Sequence, residues 1–292
     1  MANDDDLKLV RLFAARRDRL YEKLSGGLDL RGARLSDVDL VNADLSSADF
    51  AGADLYRVRL NHATLDGASF EGAHLTDVHF EDAELDGVNF SSATFTGVNF
   101  TGLYLGGCNM AGANFTAALN LKLASFSGSN FEGTNLSGQD LTGTDFEQAD
   151  LSRCGLSGAN LQGANFTDAD LVGADLFDAD LTGTNLKGAD LSGCDLSRAN
   201  LRGANLDEAV LEGANLTDAD LTGASLQGTN LSGADLSGAI LREADLYRAN
   251  FTGVEFESTK LDGAKVLDTV FDVEMVPRIQ ALIDHDVVKG YL

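Results

Sequence analysis

Reactive side chains are few in this sequence of 292 residues. The histidines are His62, His74, His79 and His285. On the repeat described below, His74 and His79 fall on successive sides at an outward slot, which suits two solvated residues better than a metal pair. Cys108, Cys154 and Cys194 are odd in number, far apart and lack a CxxC pair, so they form neither a disulfide framework nor a zinc site. Each is expected to be a buried space-filler with a raised thiol pKa. No Ser-His-Asp set and no phosphate-binding glycine loop is visible. Carboxylates dominate: 46 Asp and Glu against 21 Lys and Arg, a net charge of −25. So many acids make any chosen pair arbitrary as an acid–base couple. The expectation is no enzyme, no cofactor and no bound metal.

What matters is how the chain spaces those groups. From Leu30 to Phe115 every fifth residue is Leu, Phe or Met, and after one inserted residue the series runs from Leu121 to Phe271 with Val266 as its exception. Of the 16 Phe, 14 take this central position. A small residue precedes it by two places, Asp or Asn stands directly before it, Ser or Thr often follows, and Gly comes next. On an α-helix a period of five would send the Leu series around every face. On a continuous strand it would alternate between faces. One apolar stripe therefore requires a chain that turns once per repeat, with Gly suited to the corner. So short a unit buries its Leu only when coils stack.

Runs such as Ala-Asp-Leu-Thr-Gly (179–183) and Ala-Asn-Leu-Thr-Asp (214–218) resemble the pentapeptide-repeat family. The resemblance covers residues 28–271. It implies an all-β solenoid: a right-handed parallel β-helix of four-sided coils, one pentapeptide per side. About twelve coils spaced by about 4.8 Å would extend roughly 58 Å. Residues 1–27 are expected to form an N-terminal helical cap and 272–292 a C-terminal one, with a register slip at 116–120. In the first cap, Leu9, Leu12, Phe13, Leu20 and Leu24 recur at helical spacing over residues 4–24. Arg11, Arg16, Arg17 and Arg19 make its outer face basic. In the second, Pro277 starts a helix in which Ile279, Leu282, Ile283 and Val287 form one stripe. That stripe covers the last coil or pairs two chains, since in the gyrase-directed branch of the family a C-terminal segment makes a dimer.

Residues twenty apart should stack in adjacent coils. Asp150, Asp170 and Asp190 then form one acidic column, and Asp175, Asp195, Asn215, Asp235 and Glu255 a second. Either Asp and Asn suit the turn, or the columns display charge to a partner. The partner expected is a protein with a basic surface. The charge weighs against direct nucleic-acid binding, because phosphates need Lys and Arg to neutralise them. No apolar run reaches the length of a membrane span, and residues 1–6 lack the basic and apolar regions of a secretory signal, which predicts a cytoplasmic address. The resemblance adds DNA mimicry: family members bind type II topoisomerases and protect them from inhibitors. A weaker reading takes the acidity as adaptation to high salt. The principal reading is a protein-interaction scaffold.

Overall fold

The structure is a computed structural model that describes residues 3–15 and 27–272. The chain divides into two compact units, Met1–Asn135 and Leu136–Leu292. Both are parallel β-solenoids built from the same pentad, and the pentad's hydrogen bonds explain its sequence.

Residues 194–198 account for all five of their N–H groups. The N–H of Cys194 donates back to the carbonyl of Leu191 at 3.1 Å, closing the corner. The N–H of Asp195 reaches the previous coil at Ala174 (3.1 Å), while those of Leu196 and Arg198 reach the next coil at Asn215 (2.7 Å) and Thr217 (2.9 Å). The fifth, on Ser197, donates to the Oδ1 of Asp195 at 3.0 Å. An unpaired backbone donor would be costly, so the slot before the central Leu calls for a short side chain with an acceptor oxygen. Asp and Asn supply it. The corner residue sits in the left-handed region, at φ 64° for Gly193 and 61° for Arg198, which explains why Gly prevails there.

In the first unit, β1 (Arg34–Ser36), β2 (Asp54–Tyr56), β3 (His74–Thr76), β4 (Thr94–Thr96) and β5 (Asn114–Ala117) pair in parallel, in chain order. The register Leu35–Leu55–Leu75–Phe95 gives one circuit per four pentads. Phenylalanines fill the interior: Phe50 stacks on Phe70 with centroids 4.6 Å apart, and Phe95 meets Phe115 at 4.9 Å. The inserted residue lies in β5. Thr94 opposes Asn114 but Thr96 opposes Ala117, a bulge. Later bridges in this unit then span one residue more, as in Asn99–Asn120 and Asn109–Asn130.

Helix α1 (Asp4–Ala15) lies against the first coil. Asn3 caps it, its Oδ1 accepting from the N–H of Asp5 at 3.0 Å. The N–H of Asn3 donates to the carbonyl of Asp29, and the Asp6 carboxylate accepts from the N–H of Asp29 at 2.9 Å. This anchoring turns Val10, one helical turn after Asp6, into the interior, where it is fully buried. Helical spacing groups Leu9 with the apolar stripe, yet Leu9 is 41% exposed, because the Asp6 contact fixes the helix's rotation. Leu20, Leu24, Arg16, Arg17, Arg19 and the C-terminal stripe of Ile279, Leu282, Ile283 and Val287 lie outside the described residues.

In the second unit the chain bridges itself at every fourth pentad, and β6 (Asn250–Phe251) pairs with β7 (Val270–Phe271). Its interior is mainly a stack of Leu with Ala between them, interrupted by Phe146, Phe166, Phe251 and Phe256, all buried. Thr184, Thr229 and Thr259 replace Ala in this lining, and each hydroxyl donates to a carbonyl of the preceding coil (Leu161, Leu206 and Leu236). Burial of these hydroxyls is therefore compensated.

Candidate interaction surface

The acidic residues are positioned by their turns. Asp150 bridges Asp170, which bridges Asp190. In the second column Asp175, Asp195, Asn215, Asp235 and Glu255 bridge in succession. Both columns of the sequence reading are therefore brought together within the second unit.

In each Asp of these columns one carboxylate oxygen serves the fold. The Oδ1 atoms of Asp150, Asp170 and Asp190 each accept from the N–H two residues on, at 2.9 Å. Those of Asp175 and Asp235 do the same at 3.0 and 2.8 Å. The hydroxyl and then the N–H of Ser237 hold the Asp235 carboxyl below its usual range. Where Asn alternates with Asp, its amide donates down the column: Asn215 to Asp195 at 3.1 Å, and Asn200 to Asp180 at 3.2 Å. An Asn between two carboxylates thus replaces repulsion with a hydrogen bond.

Cations pair largely across coils. Arg198 meets Asp178, Arg202 meets Asp220, Arg242 meets Asp262, Arg248 meets Asp268 and Lys265 meets Asp245, all within 4 Å. In the first unit Arg57 pairs with Asp37 and Arg59 with Asp39. None of these pairs involves the seven acidic residues of the two columns. Exposed pairs of this kind contribute about 0–1 kcal/mol each; their larger effect is to leave negative potential concentrated where cations are missing.

The other reactive groups among the described residues are buried or hydrogen-bonded or lie beside a carboxylate, and His285 lies outside the described residues. Burial pushes the thiols of Cys108, Cys154 and Cys194 up to about 12. His74 shares a hydrogen bond with Thr94 Oγ1 at 2.8 Å, His62 lies 3.7 Å from Asp82, and His79 lies 3.4 Å from Glu81. Among the described residues no three His, Cys, Asp or Glu gather as metal ligands, and no helix is long and apolar enough to cross a membrane.

Among the described residues, the most exposed large apolar side chains are Tyr104, Leu119 and Leu123, with Tyr56 and Val270 also exposed elsewhere; Tyr104 departs from the repeat by standing in an Asn slot. A signal for them exists in the sequence. From Gly87 to Phe131 there is no Asp or Glu, and one basic residue, Lys122.

Comparison with known proteins agrees with this architecture. A family model described as pentapeptide repeats matches in eight copies at residues 120–158, 154–193, 194–233 and 229–265. A second, described as a pentapeptide repeat region, matches 33–107. A search of curated proteins found no match. Among solved structures the chain is similar to HetL, a pentapeptide repeat protein involved in heterocyst differentiation regulation in the cyanobacterium Nostoc sp. strain PCC 7120. They are 31% identical over 91% of this chain and 97% of that one, with a TM-score of 0.48. Full-length QnrB1, a plasmid-mediated fluoroquinolone resistance protein, is 18% identical over 72% of this chain and 89% of its own, with a TM-score of 0.36. A pentapeptide repeat protein of the Arabidopsis thaliana thylakoid lumen is 43% identical over 36% of this chain and 70% of its own, with a TM-score of 0.23.

Proposed function

The chain belongs to the pentapeptide-repeat family, and we propose that it acts as a non-enzymatic scaffold whose acidic columns dock a protein partner with a basic surface. The observation that carries this is the division of labour within each column carboxylate: Oδ1 closes the turn, while the charge remains outside the cation pairs. Asp170, Asp175, Asp190 and Asp195 place four such charges on two neighbouring sides of two successive coils. Like charges about 5 Å apart repel by only about 1 kcal/mol in water, which a packed Leu interior tolerates. A basic surface would relieve that repulsion on docking, favouring fast, salt-sensitive association. A cytoplasmic location goes with this reading.

The test is retention of a partner from native lysate by the wild type and by a variant carrying Asp170→Asn, Asp175→Asn, Asp190→Asn and Asp195→Asn. Asn keeps every turn acceptor, so the fold should persist. A partner held by the wild type, lost with the variant and released by salt is the expected result. Equal retention by both proteins would remove the columns from the binding surface.

Regular charge along stacked coils also favours a second reading, imitation of a DNA duplex toward a type II topoisomerase. Titrating the protein into a DNA gyrase supercoiling assay separates the two. Inhibition relieved by added DNA supports the mimic, and indifference of the enzyme leaves the scaffold.

A further inference from the structure

We propose that the carboxylate-free belt of the first unit, centred on Tyr104, Leu119 and Leu123 and carrying Lys122 as its one charged residue, is the contact surface for a second copy of this chain. The surface is separate from the acidic columns and does not depend on their role.

The belt begins after Asp86 and ends before Glu132. Elsewhere in the solenoid the slot before the central residue is commonly Asp. Here it is filled by Asn89, Thr94, Asn99, Tyr104, Asn109, Asn114, Asn120, Ser125 and Asn130. Turn closure is retained, for Asn99 Oδ1 accepts from the N–H of Thr101 at 3.1 Å and Asn109 Oδ1 from that of Ala111 at 3.1 Å. Folding therefore does not demand the loss of charge. Depletion of charge with an exposed aromatic is the composition of an interface core.

Apolar side chains stand out of this belt: Tyr104 takes the Asp or Asn slot, Leu123 the corner slot where Gly prevails, and Leu119 lies at the insertion. Leu119, beside the bulge, is 70% exposed. Leu123 occupies a corner at φ 58° and is 63% exposed. Left-handed backbone is unfavourable for a leucine, and exposing its side chain to water adds no compensation within the chain. Tyr104 is 58% exposed, and its ring folds over Gly106: a Cβ there would lie 2.6 Å from the phenolic oxygen. Gly106 takes the place of the usual Ser or Thr and lets the ring lie flat. Tyr104 bridges Ser125 in the next coil, and the N–H of Gly102 bonds the carbonyl of Lys122, so Tyr104 and Leu123 flank one corner in successive coils.

Charge selects the occupant. Two chains of net charge −25 oppose each other's carboxylates over most of their surface. Belt against belt, that opposition is least, and the apolar residues find apolar residues. A two-fold contact uses the same patch on both copies, so one belt is sufficient. Screening by salt should strengthen such a dimer, opposite to its effect on docking by the acidic columns.

Sedimentation velocity across about 1–100 µM, the range of weak association, tests the proposal. The wild type should dimerise, more tightly at about 0.5 M than at about 0.05 M salt. The combined Tyr104→Asn, Leu119→Ser and Leu123→Asn variant should weaken the dimer by at least about tenfold. The Asn and Ser it introduces recur throughout the repeat, and circular dichroism verifies the fold. A second variant, Asn99→Asp with Asn120→Asp, places charge in the belt and should dissociate the dimer at low salt, with recovery at high salt. A wild type that stays monomeric throughout, or a dimer unchanged by both variants, would overturn the proposal. So would a dimer that survives both and disappears on removal of residues 277–292.

Discussion

Replacing Asp195 by Asn and by Ala separates what its carboxylate does for the fold from what its charge does outside. Oδ1 of Asp195 accepts from the Ser197 N–H at 3.0 Å, the Ser197 hydroxyl at 2.6 Å and the Asn215 amide at 3.1 Å. Asn retains that oxygen, and Asn215 already does the same work one coil on, accepting from Thr217 N–H at 3.1 Å and its hydroxyl at 2.7 Å. Asp195→Asn loses the charge assistance of three hydrogen bonds but also removes repulsion from Asp175, at most about 1 kcal/mol in water. The two nearly offset, and stability should change by less than about 0.5 kcal/mol. Asp195→Ala removes the acceptor itself. Each bond is worth about 1 kcal/mol net, less where water can substitute, so the loss should be about 1–2 kcal/mol, as for a helix cap. At about 2.1 cal/mol/K per residue for a chain of this length, 1.5 kcal/mol lowers the melting temperature by about 2–3 °C. Melts followed by circular dichroism under identical conditions resolve that difference. If Asn costs as much as Ala, the charge and not the acceptor oxygen closes the turn.

Leu176→Asp should prevent the second unit from folding, because Leu176 has no solvent exposure and a lone carboxylate there has no partner; an unchanged spectrum and melt would contradict the packed interior. Thiol reagents should leave Cys108, Cys154 and Cys194 unlabelled in the native protein at pH 8 and label them after denaturation, since burial holds their pKa near 12. Labelling of the folded protein at the rate of a free thiol would refute this. A hydrogen bond from Arg31 lowers the Asp29 carboxyl from 3.8 to about 2. Its folded value lies below the unfolded one, so the stabilisation is complete above about pH 4 and is lost as the pH falls toward 2. Wild type and Arg31→Ala should accordingly differ at pH 6 and converge near pH 2; a constant difference would mean that Arg31 acts by packing alone.

The fold was legible because a central Leu such as Leu196 and a corner such as Gly193 each carry a constraint that few residue types meet. The slip was legible too, since Leu121 arrives one place late. Less legible was what each Asp does, because the same residue satisfies a turn and displays a charge; only the Ser197–Asp195 bond shows that one oxygen is committed. Corners filled by Arg198, Glu208 or Leu123 gave no warning of left-handed backbone, for these side chains carry no preference for it and the stacked coils impose it. Helical spacing nominated Leu9 over Val10 because amphipathic periodicity reports a face without its rotation, and the Asp6–Asp29 contact that fixes the rotation joins residues far apart in sequence. The carboxylate-free belt was present as missing letters, a signal that a search for repeated residues passes over.

The twenty-residue circuit also determines how such a chain can change length through inheritance. Leu176 bonds Asp195, and Leu196 bonds Asn215, so a recombination event that adds or drops one whole circuit returns every side chain to its own side. Gain or loss of one pentad rotates all that follows by a quarter turn, keeping the interior intact while carrying each acidic column to a neighbouring side. A single residue demands a local accommodation such as the bulge between Asn114 and Ala117. Selection on a partner-facing side would therefore see these three kinds of length change very differently, although the hydrophobic interior hardly distinguishes the first two.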